Sequence, residues 1–230
     1  MKTIGVLGGM GPYASLDFYR MLIEQSDGRT NDGFPHILLS NLPVPDYIED
    51  RSREEEAVQM VEAEAQVLEN AGADFLVITC NTMHLHLPRF QRAVSIPFLS
   101  MTELVVEQVA RSGVKRVGIL GSPTTLETRL YQDPLSDRGI ETLIPNIEDQ
   151  ARITKAILST VGGQSGEADV SNVLRAIDHL SVIGAEAVIL GCTELPVLLR
   201  GIEASIPIFR STEILAEASC IDIFTGKGLF

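Results

Sequence analysis

Cysteine is scarce in this chain. Three residues in 230 are too few, and an odd number, for a disulfide framework, so the thiols are expected to be reduced, as in a cytoplasmic protein. Positive charge is scarce as well: 18 Lys and Arg stand against 31 Asp and Glu, a formal charge of −13. No basic cluster is present, which argues against nucleic acid or an anionic membrane as partner. An acidic ligand would meet a repulsive surface and would have to be held by local donors. No run approaches the roughly 18 apolar residues of a membrane span. The N-terminal MKTIGVLGGMGP is Gly-rich, stops at Pro12 and leads into Asp17 and Arg20, unlike a signal peptide. No Cys/His set has zinc spacing. His84 and His86 of MHLHLP, two apart on a helix, point to different faces and are expected on a helix surface or at a domain contact, His84 near enough to Cys80 to influence it. Low-complexity tracts are absent too, and 45% hydrophobic with 21% charged residues is an ordinary globular composition, long enough to bury a core.

What the chain does contain is a rhyme. GADFLVITCNTMH at 72–84 and GAEAVILGCTELP at 184–196 each run through apolar residues to a cysteine with a threonine within two residues. KTIGVLG at 2–8 matches KRVGILG at 115–121, and SIPFLSMTEL at 95–104 matches SIPIFRSTEI at 205–214. The offsets are 113 residues for Gly5 and Gly118, 112 for Cys80 and Cys192, and 110 for Ile96 and Ile206. Such a period is far longer than that of a solenoid and indicates a duplicated unit of half the chain.

Each unit alternates β-branched runs with amphipathic segments. In the first, strands are predicted at Thr3–Leu7, His36–Ser40, Phe75–Thr79 and, briefly, Pro97–Ser100. Pro12 suits the first turn of a helix reaching about Gln25. Ser52 with Glu55 reads as a capping box for a helix burying Val58, Val61, Ala65 and Leu68. The second unit repeats the pattern with Arg116–Leu120, Thr142–Ile144, Ala187–Leu190 and Pro207–Phe209. The expected fold is therefore α/β: two pseudo-symmetric lobes from an internal duplication, each an open parallel sheet flanked by helices. The first lobe takes residues 1–100 plus 208–230 and the second 101–207, with the active site in the cleft between them. Ligands of such sheets bind beyond the carboxyl ends of the strands, where the Gly8–Gly11 loop, Cys80, the Gly121–Thr125 loop and Cys192 all fall.

A thiol is a modest acid, pKa about 8.5 unperturbed, and a helix N-terminus or a cation lowers it. Asn81 and Thr82 follow Cys80, and Thr193 follows Cys192; these are capping-type residues whose turns offer N–H donors to a thiolate or a carboxylate. Two thiols on opposite faces of one carbon can act as base and acid, which is what stereo-inversion requires. A cysteine alone on an apolar strand is ordinarily an inert core residue, and Cys220, which has no mate, is read that way. Glu194 either receives a substrate ammonium or tunes Cys192. EDRSREEE at 49–56 reads as a solvated loop and helix start whose Arg51 and Arg53 are able to swing toward an anion. GMGPYA formally fits the dinucleotide fingerprint at Gly9, Gly11 and Ala14, but no acid closes the second strand, so a tight turn donating N–H groups is the reading taken.

MKTIGVLGGMGP, CNTMH and GCTEL, in this order and spacing, resemble the aspartate/glutamate racemase family of cofactor-independent amino-acid racemases over essentially the whole chain. The resemblance implies two α/β lobes, frequent homodimers, no cofactor and no metal. It implies Cys80 and Cys192 as the acid/base pair, and Met10, Gly11, Asn81, Thr82, Thr125 and Thr193 as holders of the substrate's α-carboxylate and ammonium. It also implies a C-terminal segment that packs back onto the first lobe. Two departures bear on specificity. Aspartate-selective members carry Arg after the Pro-Asp of the second-strand loop, where PVPDYIED has Tyr47, and a Lys in the segment here reading STVGGQSG; no Lys occurs between 156 and 166. A bidentate Arg on a side-chain carboxylate is hard to replace. Tyr47 or Arg51 would contact the substrate side chain instead, or the substrate is a neutral amino acid. The expected activity is amino-acid racemisation without pyridoxal phosphate. Alternatives are a hydantoin racemase, decarboxylase or cis–trans isomerase on the same cleft, a nicotinamide-dependent oxidoreductase, or a two-lobed binding protein.

Overall fold

A computed structural model describes residues 1–26, 30–45, 48 and 50–226. The chain divides into two compact units, Met1–Met101 with Thr212–Phe230, and Thr102–Ser211. The first holds β1 (Ile4–Gly8), α1 (Pro12–Glu24), β2 (Ile37–Asn41), α2 (Glu54–Asn70), β3 (Phe75–Ile78) and α3 (Leu87–Ala93). Its sheet is parallel in the order β2-β1-β3. The second begins within α4 (Met101–Ser112) and continues with β4 (Arg116–Leu120), α5 (Pro123–Glu127), α6 (Gln132–Ser136), β5 (Glu141–Leu143), α7 (Ile147–Val161), α8 (Glu167–Val182), β6 (Ala187–Leu190), α9 (Glu194–Leu198) and β7 (Ile208–Arg210). Its sheet is β5-β4-β6-β7, again parallel. The shared core of the two orders is the expected duplicated α/β build.

The local reasons are legible in the residues. Phe75–Ile78 and Ala187–Leu190 are buried at every position, as unbroken apolar runs must be when helices cover both faces of a parallel sheet. The edge strands β2 and β5 are half-exposed. Gly5 and Gly118 are equivalent positions that let a helix lie close against the sheet. A Cβ on Gly5 would come 2.5 Å from Leu76 and 3.3 Å from Leu68 of α2; on Gly118 it would come 2.8 Å from Val188 and 2.9 Å from Leu180 of α8.

Three expectations are corrected. The fourth strand of the first unit is only a bridge, Leu76 to Phe98, because just Leu76 exchanges backbone bonds with Pro97 and Leu99. The Ser52–Glu55 capping box does not form. Asp50 takes both the hydroxyl and the amide of Ser52, Glu55 bonds Gln59 and Arg89, and α2 starts at Glu54. The return to the first unit comes at Thr212 rather than 208, because Ile208–Arg210 pairs with β6.

α10 (Ser211–Thr225) carries the chain back. Its Ile223 carbonyl accepts from the Lys2 amide at 3.0 Å, Asp222 pairs with the Lys2 ammonium at 2.8 Å, and Cys220 lies buried with Sγ 3.9 Å from the Leu22 carbonyl. Burial pushes the Cys220 thiol up to about 11, which leaves it protonated and inert, as read from the sequence.

In the second unit, α7 and α8 are joined through Asp149. Asn146 caps α7 by accepting from the Asp149 amide at 2.9 Å, and the buried Asp149 carboxylate meets His179 Nδ1 of α8 at 2.6 Å and Arg152 at 3.1 Å. Burial alone would raise the carboxyl's pKa. The hydrogen bond and charge of His179, then those of Arg152, outweigh it, and the net shift is downward. A depressed folded-state pKa contributes stability above the unfolded value, near 3.9, that is lost as pH falls through the folded one. Asp149→Asn should therefore cost about 1–3 kcal/mol at pH 7 in denaturant melts, and the gap from wild type should close on acidification. A gap independent of pH would show that the carboxylate's charge is not what joins the helices.

Candidate active site

In the first unit the site begins where β1 ends. Gly9 has φ +93°, and a Cβ there would stand 2.4 Å from the Leu42 carbonyl oxygen, so only glycine fits the turn. The Gly9 amide donates to Ser15 Oγ at 2.9 Å, and Ser15 Oγ donates to the Gly11 carbonyl at 3.1 Å. The same hydroxyl lies 3.0 Å from Thr79 Oγ1. One buried serine on the first turn of α1 thus ties the Gly9–Gly11 loop to the residue before Cys80. The approach is close: a Cβ on Gly8 would sit 2.6 Å from Ser15 Oγ.

Cys80 follows β3 and is buried, its Sγ 3.3 Å from Thr82 Oγ1. Asn81, also buried, immediately precedes a 3-10 turn over Thr82–His86 and makes no side-chain capping bond to it. Met10 packs on the hydrophobic cluster that contains Cys80, and Gly11 is buried beside it in the chain. The structure therefore gathers Cys80, Thr82, Asn81 and the Met10–Gly11 loop at one sheet end. His84 is not on a helix surface, one of the two places expected for it. It is buried, with Nδ1 2.8 Å from the Cys80 carbonyl and Nε2 accepting from the Met101 amide at 3.0 Å. Desolvation pulls it down to about 4, so it is neutral at ordinary pH. His86 instead pairs with Glu54 at 2.9 Å.

The second unit repeats the plan with different chemistry. Ser122 caps α5 by accepting from the Thr125 amide at 3.2 Å. Thr125 Oγ1 lies 3.0 Å from Ser122 Oγ and donates to the Gly191 carbonyl at 3.4 Å. Thr125, expected at the substrate, is buried and is the counterpart of Ser15: each hydroxyl reaches the residue that precedes the cysteine. Cys192 donates its thiol proton to Glu194 Oε2 at 3.1 Å, and Thr193 Oγ1 donates to the same oxygen at 3.1 Å. Cys192, Thr193 and Glu194 are all buried. The ring of Tyr131, fully buried, backs this turn; a Cβ on Gly191 would be 3.0 Å from it. Burial, and then the negative charge that nearby Cys192 carries once ionised, push the Tyr131 phenol up, so it stays protonated.

The possible side-chain contacts fare differently. Arg51 grips Glu54 with Nε and Nη2 at 2.9 and 2.6 Å, and Arg53 grips Glu56 at 2.8 and 2.6 Å. Tyr47 lies outside the described residues. No group of three or more His, Cys, Asp or Glu suited to a metal occurs among the described residues. Nor, among them, is any helix long and apolar enough to cross a membrane. Ser15, Thr79 and Tyr131 were not picked out by sequence. A serine among Ala14, Phe18, Met21 and Leu22, the buried face of α1, is the signal that marks the first.

Two parallel α/β units, each with a cysteine just after a central strand and a buried hydroxyl tying the neighbouring loop to that strand's end, define a duplicated α/β protein. The chain belongs to the Asp/Glu/Hydantoin racemase family, which matches residues 7–219, and it is accordingly an isomerase. It is 29% identical over 222 residues to the broad specificity amino-acid racemase RacX of Bacillus subtilis (strain 168), covering 94% of this chain and 96% of that one. Among solved structures, the Picrophilus torridus aspartate racemase is 29% identical with a TM-score of 0.83, covering 96% of this chain and 94% of that one. An aspartate racemase homologue from Pyrococcus horikoshii OT3 is 28% identical with a TM-score of 0.78, covering 96% and 98%.

If Ser15 holds the loop, Ser15→Ala should lower stability by about 1–3 kcal/mol, the cost of leaving the buried Gly9 amide without its acceptor. Gly8→Ala should also destabilise, by about 1–3 kcal/mol from overpacking. Urea melts measure both, and a Ser15→Ala protein as stable as wild type would remove the serine from this role.

Proposed function

We propose that this chain is an amino-acid racemase that needs no pyridoxal phosphate and inverts the α-carbon with Cys80 and Cys192 as opposed base and acid. The observation that carries the reading is the unlike partnering of two equivalent thiols. Thr82, a hydroxyl able to donate, stands by Cys80, which suits a thiolate. Glu194, an acceptor, stands by Cys192 and holds its proton. On this reading the pair would rest in opposite protonation states, as a two-base exchange requires.

In the forward direction the Cys80 thiolate removes the α-proton. The electron pair left behind spreads into the substrate carboxylate, and N–H donors at the strand ends, those of Met10–Gly11 and Asn81 among them, stabilise that charge. Cys192 then delivers its proton to the other face, leaving Cys80 as thiol and Cys192 as thiolate. Glu194 and Thr193 assist the return of a proton to Cys192. General acid–base help is worth about 10²–10⁴-fold per group, and a site closed to water supplies much of the remainder.

For the side chain, the reading is an uncharged group rather than a second carboxylate. Arg51 and Arg53 are engaged by Glu54 and Glu56, and the family's usual Arg and Lys positions hold neither residue.

Incubation in D₂O with L- and D-amino acids, without added cofactor, tests the proposal. The α-proton should be lost together with chirality, and neutral substrates should outpace aspartate and glutamate by about tenfold or more, a difference of one unpaired charge. Cys80→Ser and Cys192→Ser should each cut inversion by about 10²–10⁴-fold, with residual exchange confined to one enantiomer. Inversion at the wild-type rate in either mutant rules out the two-thiol mechanism.

A further inference from the structure

His84 is a buried, polar side chain that the acid/base chemistry does not use, and its two ring nitrogens have partners of opposite kind. The Cys80 carbonyl can only accept a hydrogen bond and the Met101 amide can only donate one. The 2.8 and 3.0 Å contacts therefore fix a single tautomer, with the proton on Nδ1 and Nε2 bare. Burial keeps the ring in that neutral form. The consequence falls on the peptide between Cys80 and Asn81. Its carbonyl is held toward His84, and in a trans peptide the following N–H points the opposite way. The ring thus blocks a peptide flip that would put a carbonyl oxygen where the Asn81 N–H now stands. At a site that gathers negative charge, on a thiolate and on a carboxylate, that exchange of donor for acceptor would be adverse.

We propose that His84 is a positioning residue for catalysis, which clamps the Cys80–Asn81 peptide against the first residue of α4 and so sets both the direction of the Asn81 N–H and the seat of the Cys80 thiol. This rests on the reading of Cys80 as an acid/base group. It assigns the histidine of CNTMH a role distinct from metal binding and from proton transfer.

Two substitutions separate the arms of the clamp. The amide of Asn falls near the place of Nδ1, so His84→Asn keeps a donor for the Cys80 carbonyl and gives up Met101. The amide of Gln falls near Nε2, so His84→Gln keeps an acceptor for Met101 and releases the Cys80 carbonyl. Three readouts apply: kcat and KM for racemisation, the rate of Cys80 alkylation by iodoacetamide followed by peptide mapping, and circular dichroism as a check of folding. The Gln variant should lose about 10–100-fold in kcat, the scale of a small misplacement, with KM changed far less. Its Cys80 alkylation rate should shift by about tenfold, while the Asn variant stays within about threefold of wild type on both measures. The reverse order, equal losses in both variants, or no loss in either would overturn the proposal.

Should a variant fail to fold, ¹⁵N spectra of the unmodified protein still decide. His84 must show a protonated Nδ1 and a bare Nε2 at pH 7, and the opposite tautomer sinks the clamp. A wild-type protein that racemises nothing would defeat the proposed function instead, leaving the alkylation and tautomer results to judge His84.

Discussion

A hydroxyl buried at the foot of a helix carries the site in each unit. Ser15 and Thr125 occupy the first turn of the helix after the first strand, and each reaches across to the residue before a cysteine: Thr79 in one unit, Gly191 in the other. Buried polar groups are costly unless bonded, and these are bonded to backbone or side chain on both sides. The helix start, the glycine turn and the end of the neighbouring strand are therefore tied together. Gly8 and Gly121 make room for that contact, since a Cβ on either would fall within 3.0 Å of the hydroxyl-bearing side chain. The turns that carry Cys80 and Cys192 are thus each anchored by the scaffold beneath them.

Above that common base the two units have diverged. The turn after β3 places a threonine hydroxyl by the sulfur, and the turn after β6 places a carboxylate. A duplication supplies two like positions, and the proposed two-thiol mechanism would need unlike protonation states at them. The difference between CNT and CTE is a short sequence change that breaks the chemical symmetry while leaving the backbone plan intact. Tyr131 behind Gly191 adds to it, a protonated phenol packed against the Cys192 turn.

Much of this was readable from residues alone. Phe75–Ile78 and Ala187–Leu190 are unbroken apolar runs, and nothing but a doubly covered parallel strand suits them. The repeat marked Cys80 and Cys192 as equivalent positions, and each does follow a buried strand of its own unit. Where sequence reading fell short, the cause was competition among polar groups. Ser52 has the pattern of a helix cap, yet Asp50 two residues earlier claims its hydroxyl. Two histidines two apart left His84 open between a helix surface and a domain contact, and only the tertiary position of the Met101 amide shows why it is buried. Ser15 left a trace as a polar residue on an apolar helix face, but its partner Thr79 is 64 positions away, too distant for any local rule.

The discontinuity of the first unit carries a consequence for biosynthesis. Its strands are translated before the second unit, yet α10, which supplies the Asp222 and Ile223 contacts to Lys2, is translated after it. The second unit is contiguous, so its residues have all emerged while the opening segment still lacks a helix. Assembly of the nascent chain thus runs against the order of the code: the later half can close first, and the earlier half waits for the tail.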